Sequence, residues 1–255
     1  YFKALANIVE TAPNFTAKFY FLTPDLLKRP LVEEFNLEKV GPMLDMGIRE
    51  QHIMASAHGI STMDPQARIT IFMGDAFAYR YMDQLNAAGM GQCKALILGE
   101  KAGLCQGANG SSHQSIGQSI ALLGMPFVEF REPSDATDLY NILNEFYTKN
   151  DKLVYVRLHN KKYEQDIVTR NIERTSTYYV AYEPVQEVKA VIASAGFPLC
   201  NSVLAAKELD ENAGIGVRVI NVIYPKSVDE DFVKLLKDDI PLLLPYNGNP
   251  ETLSI

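Results

Sequence analysis

Short runs of apolar residues alternate along this chain with segments whose apolar positions recur every three or four residues. Residues 17–22 (AKFYFL), 69–73 (ITIFM), 94–98 (KALIL) and 153–158 (LVYVRL) read as buried strands, and residues 2–10, 50–62, 77–89 and 134–149 as helices. Strands and helices that alternate in this way build a parallel sheet covered on both faces through right-handed crossovers. The stretch 159–187 is polar and irregular and reads as a linker. Beyond it the pattern resumes with a strand over 188–195, a helix over 199–212, a strand over 217–222, a helix over 229–238 and an apolar run over 240–244. Only about three strands follow the linker, fewer than a usual sheet holds. The expected organisation is an α/β chain with a parallel-sheet domain over 1–160, a linker over 161–186 and a partial α/β domain over 187–255 that looks truncated. No repeat or low-complexity tract interrupts it.

The chain has 255 residues and a net charge of −7. That length suits two α/β domains or one large one. The negative charge argues against a nucleic-acid surface, because phosphate binding needs an excess of Lys and Arg, and gives no support to docking on an anionic membrane. No apolar run is long enough to span a bilayer, and no signal peptide opens the chain. Cys93, Cys105 and Cys200 are odd in number and not spaced as metal ligands. Reduced thiols in a cytoplasmic protein are the expectation. The chain begins Tyr-Phe-Lys without an initiator Met, as a fragment or trimmed product would.

Three local signals carry candidate chemistry. Gly47-Ile48-Arg49-Glu50-Gln51-His52 follows the apolar run 42–46 and opens a helix. A single Glu at a helix start is usually no more than complementarity to the helix dipole. Gly107-Ala108-Asn109-Gly110-Ser111-Ser112-His113-Gln114 is a glycine-rich loop after an apolar strand, at the carboxyl end where α/β sheets place ligands. Alone, it reads as a connecting loop with an exposed His. Phe72-Met73-Gly74-Asp75-Ala76-Phe77 leads into a helix with Arg80, Asp83 and Gln84. Aromatics in such places are more often core than ligand platforms.

Taken together and in this order, the three segments resemble the thiamine-diphosphate-dependent transketolase family. G-I-R-E-Q-H is similar to the catalytic-glutamate motif of the pyrimidine-binding domain in transketolase, deoxyxylulose-phosphate synthase and the beta subunits of 2-oxoacid dehydrogenases. G-A-N-G-S-S-H-Q resembles the transketolase loop G-E-D-G-P-T-H-Q. F-M-G-D-A-F-A-Y-R-Y-M-D-Q-L-N is similar to the aromatic segment of the dehydrogenase beta subunits, and PFVEFREPSDATDL (126–139) to a further family stretch. The resemblance covers residues 1–158 well and 185–245 loosely. It implies that Glu50 meets N1′ of the cofactor's aminopyrimidine and promotes the imino tautomer that removes the C2 proton, in a water-poor site. It gives Phe77 the ring that stacks on the aminopyrimidine, with Phe72 as the alternative, and Arg80 a place beside the cofactor. His113 and Asn109 would face the substrate, with His113 also catalytic.

The chain also departs from the family. The Mg²⁺- and diphosphate-binding G-D-G motif, which the family carries on a separate N-terminal domain, is missing: the only Gly-Asp is Gly74-Asp75, followed by Ala76. Asn109 stands where transketolases carry Asp. Asn160 is the nearest match to a phosphate-binding Arg, and Asp25 replaces a Ser that helps bind substrate phosphate. An Asp repels a phosphate dianion. The resemblance therefore implies a transferase of two-carbon ketol units that needs thiamine diphosphate, with its Mg²⁺ held by a diphosphate-binding domain or subunit outside this chain. It also implies a homodimer and a small-molecule substrate. The alternatives are a dehydrogenase beta subunit, a deoxyxylulose-phosphate-synthase-like enzyme, or a degenerate assembly or regulatory subunit.

Overall fold

The computed structural model describes residues 7–8, 18–25, 40–104, 107–149, 151–159, 172–175, 177–236 and 239–246. Its first sheet is built from β1 (Phe19–Thr23), β2 (Met43–Asp45), β3 (Arg68–Gly74), β4 (Ala95–Glu100), β5 (Val128–Arg131) and β6 (Leu153–Leu158), in the order β2-β1-β3-β4-β6-β5. Every pairing is parallel. The α/β parallel-sheet architecture expected from the sequence is the one observed.

The two-residue period of the strands divides the core. Ile69, Ile71 and Met73 of β3, Ala95 and Ile97 of β4, and Leu153 and Tyr155 of β6 face one side. There they meet Ile53, Met54 and Ala57 of α1 (Glu50–Met63), Leu85 and Ala88 of α2 (Met82–Met90) and Leu122 of α3 (Gln118–Leu123). Phe72, Leu96, Leu98, Val154 and Val156 face the other side, against Ile142, Leu143, Phe146 and Tyr147 of α4 (Ala136–Lys149). This second core continues into the C-terminal part of the chain through Tyr179, Leu199 and Val219.

The C-terminal sheet has the order β10-β8-β9-β7, from β7 (Tyr178–Tyr182), β8 (Val188–Ser194), β9 (Gly216–Val222) and β10 (Leu242–Leu243). Helices α5 (Pro198–Glu208) and α6 (Glu230–Leu235) accompany it. Two expectations are corrected here. The stretch read as linker contains β7, which pairs antiparallel with β9, so this sheet has four strands and not three. β7 alternates half-buried and buried residues between polar flanks, and the flanks hid it. The segments 42–46 and 126–131 also hold short strands, β2 and β5, that apolar runs alone did not reveal. The expected helix over 2–10 lies largely outside the described residues, and Asn7 and Ile8 are helical.

Polar contacts join the two sheets. The Glu132 amide donates to the Ile223 carbonyl at 2.9 Å. Ser134 Oγ donates to Asn221 Oδ1 at 2.7 Å, and Asn221 Nδ2 to Asp138 Oδ2 at 2.9 Å. Arg174 binds Asp138 and Asp135. No helix among the described residues is long and apolar enough to cross a membrane.

Ile53 is fully buried between α1 and the sheet, whereas Met63 at the end of α1 is 85% exposed. Ile53→Ala is expected to lower unfolding stability by about 2–5 kcal/mol, and Met63→Ala by less than about 0.5 kcal/mol. Urea denaturation of the two variants checks this.

Candidate active site at the carboxyl edge of the first sheet

In a parallel sheet all strand carboxyl ends lie on one edge, so the segments leaving them converge. Here they are Asp25 after β1, Gly47–Glu50 after β2, Asp75–Arg80 after β3, the loop to Ser115 after β4, Glu132 after β5 and His159 after β6.

Glu50 is the first residue of α1 and is 3% exposed. Its carboxylate accepts from Arg80 Nη1 at 2.8 Å. Arg80 lies in a 3-10 turn over Asp75–Tyr81, and its guanidinium sits 4.5 Å above the Phe77 ring. The Phe77 ring meets the His113 imidazole edge-on, with centroids 5.3 Å apart at 76°. Residues from three separate segments thus form one string: Glu50, Arg80, Phe77, His113. Gly74 makes the Phe77 position possible, since a Cβ there would lie 2.9 Å from the Phe77 ring. His113 ends a short 3-10 turn whose N-cap, Gly110, has φ +72°, a conformation that glycine adopts without strain. Ser112 Oγ lies 3.0 Å from His113 Nδ1.

The two aromatic candidates separate clearly. Phe77 is half-buried at the sheet edge. Phe72 is 3% exposed, packs on Phe21 at 6.4 Å, and lies on the sheet face opposite α1. It is a core residue turned away from Glu50, which corrects its expected role as an alternative stacking ring. Asn109 is exposed on the same loop as His113, and among the described residues no hydrogen bond or ring contact ties it to the string. Met54 is core and His58 packs against Gly91, as their helix positions suggest. Cys93 is buried and its thiol is pushed up to about 11, chiefly by burial, which makes it a quiet thiol. Cys105 and Asn160 lie outside the described residues.

Beneath the string lies an ionic cluster that local sequence reading missed. Arg157 has no solvent exposure. It donates to Asp75 Oδ2 at 3.0 Å, Glu132 Oε1 at 2.8 Å, Tyr246 Oη at 3.1 Å and the Ser115 carbonyl at 3.1 Å. Tyr155 Oη donates to Asp75 Oδ1 at 2.6 Å, and His159 Nε2 lies 2.9 Å from Glu132 Oε1. Burial works against the Glu132 charge, yet Arg157 and His159 hold its carboxyl below the ordinary glutamate range. The available signal was Arg157 itself: an Arg inside the apolar run LVYVRL requires buried partners.

The cluster also bears on cofactor fit. The buried Glu50 carboxylate beside a half-exposed ring suits the aminopyrimidine end of a thiamine cofactor. Asp75 does not suit a metal–diphosphate end, because both of its oxygens are engaged inside the protein. Among the described residues no group of three or more His, Cys, Asp and Glu is placed to hold a metal ion.

Comparison with known proteins places this architecture. Residues 3–165 match the family described as transketolase, pyrimidine binding domain, and the chain belongs to that family. The 1-deoxy-D-xylulose-5-phosphate synthase of Listeria monocytogenes is 29% identical over 225 residues, covering 87% of this chain and 36% of that protein. The Bacillus licheniformis synthase is 27% identical over 229 residues, with 87% and 35% covered. The chain therefore spans about a third of the length of these relatives. Among solved structures, a split-gene transketolase described as an inactive beta4 tetramer superposes with a TM-score of 0.75 at 21% identity, covering 99% of this chain and 89% of that one. Transketolase from Leishmania mexicana gives a TM-score of 0.77 at 18% identity, covering 95% and 38%. At these identities the structures establish the fold.

Replacing Phe72 by Ala is expected to lower stability by about 3–5 kcal/mol, as for a buried aromatic. Phe77→Ala should cost less than half as much. Equilibrium unfolding of both variants distinguishes a core ring from an edge ring.

Proposed function

We propose that this chain supplies the pyrimidine-binding half of a thiamine-diphosphate-dependent enzyme that transfers a two-carbon ketol unit, and that a separate domain or subunit supplies the diphosphate half. The observation that carries this reading is the buried Glu50 carboxylate, held by Arg80 beside Phe77 and His113. The cofactor, when bound, supplies the nucleophilic C2 carbon that attacks the substrate carbonyl. Glu50 would share a hydrogen bond and its proton with N1′ of the aminopyrimidine, in a position closed to water. Phe77 would carry the ring on its face, and Arg80 would keep the carboxylate turned toward it. His113 would donate to or accept from a substrate oxygen across the same cleft.

A second reading is favoured by the curated relatives. It is a deoxyxylulose-phosphate-synthase-like reaction, which would use the same half-site. One feature favours an unphosphorylated substrate instead. Asp25 is exposed at the carboxyl end of β1, and its backbone amide donates to Asp45 Oδ1 at 2.9 Å, so this part of the edge carries two exposed acidic residues. Such a pair repels a phosphate dianion.

The same reading calls for a partner surface around the site. Ile48 is 69% exposed, Tyr79 55% and Ile116 45%, all on the segments that carry Glu50, Phe77 and His113. A second copy of the chain, or the diphosphate-binding partner, would cover them. Leu85 and Leu122, by contrast, are core.

Glu50→Gln in the assembled enzyme is expected to slow exchange of the cofactor C2 proton by at least about a hundredfold, the scale of a lost general acid–base group, with the fold intact. Deuterium exchange followed by NMR checks this. An unchanged rate would mean that Glu50 serves only as a helix-start residue.

A further inference from the structure

We propose that Asp75 is a positioning residue that clamps the His113 loop onto the turn carrying Phe77 and Arg80. Asp75 opens that turn and is fully buried. One carboxylate oxygen accepts from Tyr155 Oη, and the other accepts from Arg157 Nε and from Ser115 Oγ. Ser115 lies two residues past His113, so the contact closes the far end of the glycine-rich loop onto the start of the Phe77 turn. Gln118 reinforces the closure: its Oε1 accepts from Ser115 Oγ at 3.1 Å and from the Gly117 amide at 3.0 Å, and its Nε2 donates to the Ala76 carbonyl at 3.1 Å. The Ser115 amide donates to the Gly103 carbonyl at 3.0 Å, which ties the two sides of the loop base together. Asp75 is the charged member of this closure, and charge-assisted hydrogen bonds are the stronger ones. The edge contact between Phe77 and His113 is the visible result.

Arg157 extends the clamp into the C-terminal part of the chain. It touches Asp75 and the Ser115 carbonyl on one side and Tyr246 on the other, and Tyr246 in turn bonds Ser119. The placement of the loop thus depends on residues of both sheets' surroundings.

The alternative is that Asp75 merely neutralises Arg157. Glu132 separates the two cases, because it too binds Arg157, while among the described residues no hydrogen bond links its side chain to Ser115 or to the turn. The inference takes its functional sense from the reading of Phe77 and His113 as ligand-facing, but its test needs no cofactor and so fails independently of that reading. The His ring signals of the full chain are observed by NMR and assigned by single replacements of His52, His58, His113 and His159. Asp75→Asn is expected to move the His113 signal toward that of an unstructured histidine, while Glu132→Gln leaves it in place. An unmoved His113 signal in folded Asp75→Asn would overturn the proposal, as would equal movement in both variants. Ser115→Ala removes the clamp's hydroxyl without disturbing the ion pair and gives the same readout should Asp75→Asn not fold. There, too, an unmoved His113 signal overturns the proposal.

Discussion

A guanidinium does not give up its proton inside a protein, so the complete burial of Arg157 must be matched by negative charge and carbonyl oxygens. Coulomb attraction from Glu132 and Asp75 outweighs the cost of burial and holds Arg157 firmly in its charged form. The requirement organises the molecule. It draws together the ends of β3, β5 and β6, the base of the glycine-rich loop and Tyr246 near the end of the described chain. Removing one partner of such a group costs about 3–5 kcal/mol, because an unpaired charge stays buried. The candidate site is built directly above this cluster.

That arrangement relates two segments of the site that are not fixed to each other by a shared helix or strand. The backbone hydrogen bonds of the glycine-rich loop and of the 3-10 turn are local to each, and neither set alone holds His113 and Phe77 in fixed relation. The parallel sheet brings the segments to one edge, and the buried charges lock them. Glu50 needs no such lock, since α1 fixes its backbone and Arg80 its carboxylate.

Much of this was legible in the sequence. The short apolar runs ITIFM, KALIL and LVYVRL, alternating with helix-period segments, gave the sheet, and the ordered motifs around Glu50, Phe77 and His113 gave residues that the fold brings into contact. Arg80 was singled out as a cofactor neighbour, and the structure places it between Glu50 and Phe77. The misses have physical causes. β2 is a three-residue strand with Leu44 and Asp45 exposed, too short for a periodic signal. β7 is recognisable only by its antiparallel partner β9, some forty residues on. The choice between Phe72 and Phe77 depends on where β3 ends, since Phe72 lies inside the strand and Phe77 in the turn that follows it, and an apolar run does not mark that boundary. The Arg157 cluster joins residues 82 apart, beyond any local window.

The central claim is that the edge bearing Glu50, Arg80, Phe77 and His113 receives the aminopyrimidine of thiamine diphosphate. The most direct measurement is the structure of the chain assembled with a diphosphate-binding partner, Mg²⁺ and the cofactor. The account predicts N1′ within hydrogen-bond distance of the Glu50 carboxylate, with the pyrimidine ring stacked on Phe77. A cofactor whose pyrimidine makes no contact with Glu50, or one bound away from this edge, would contradict it.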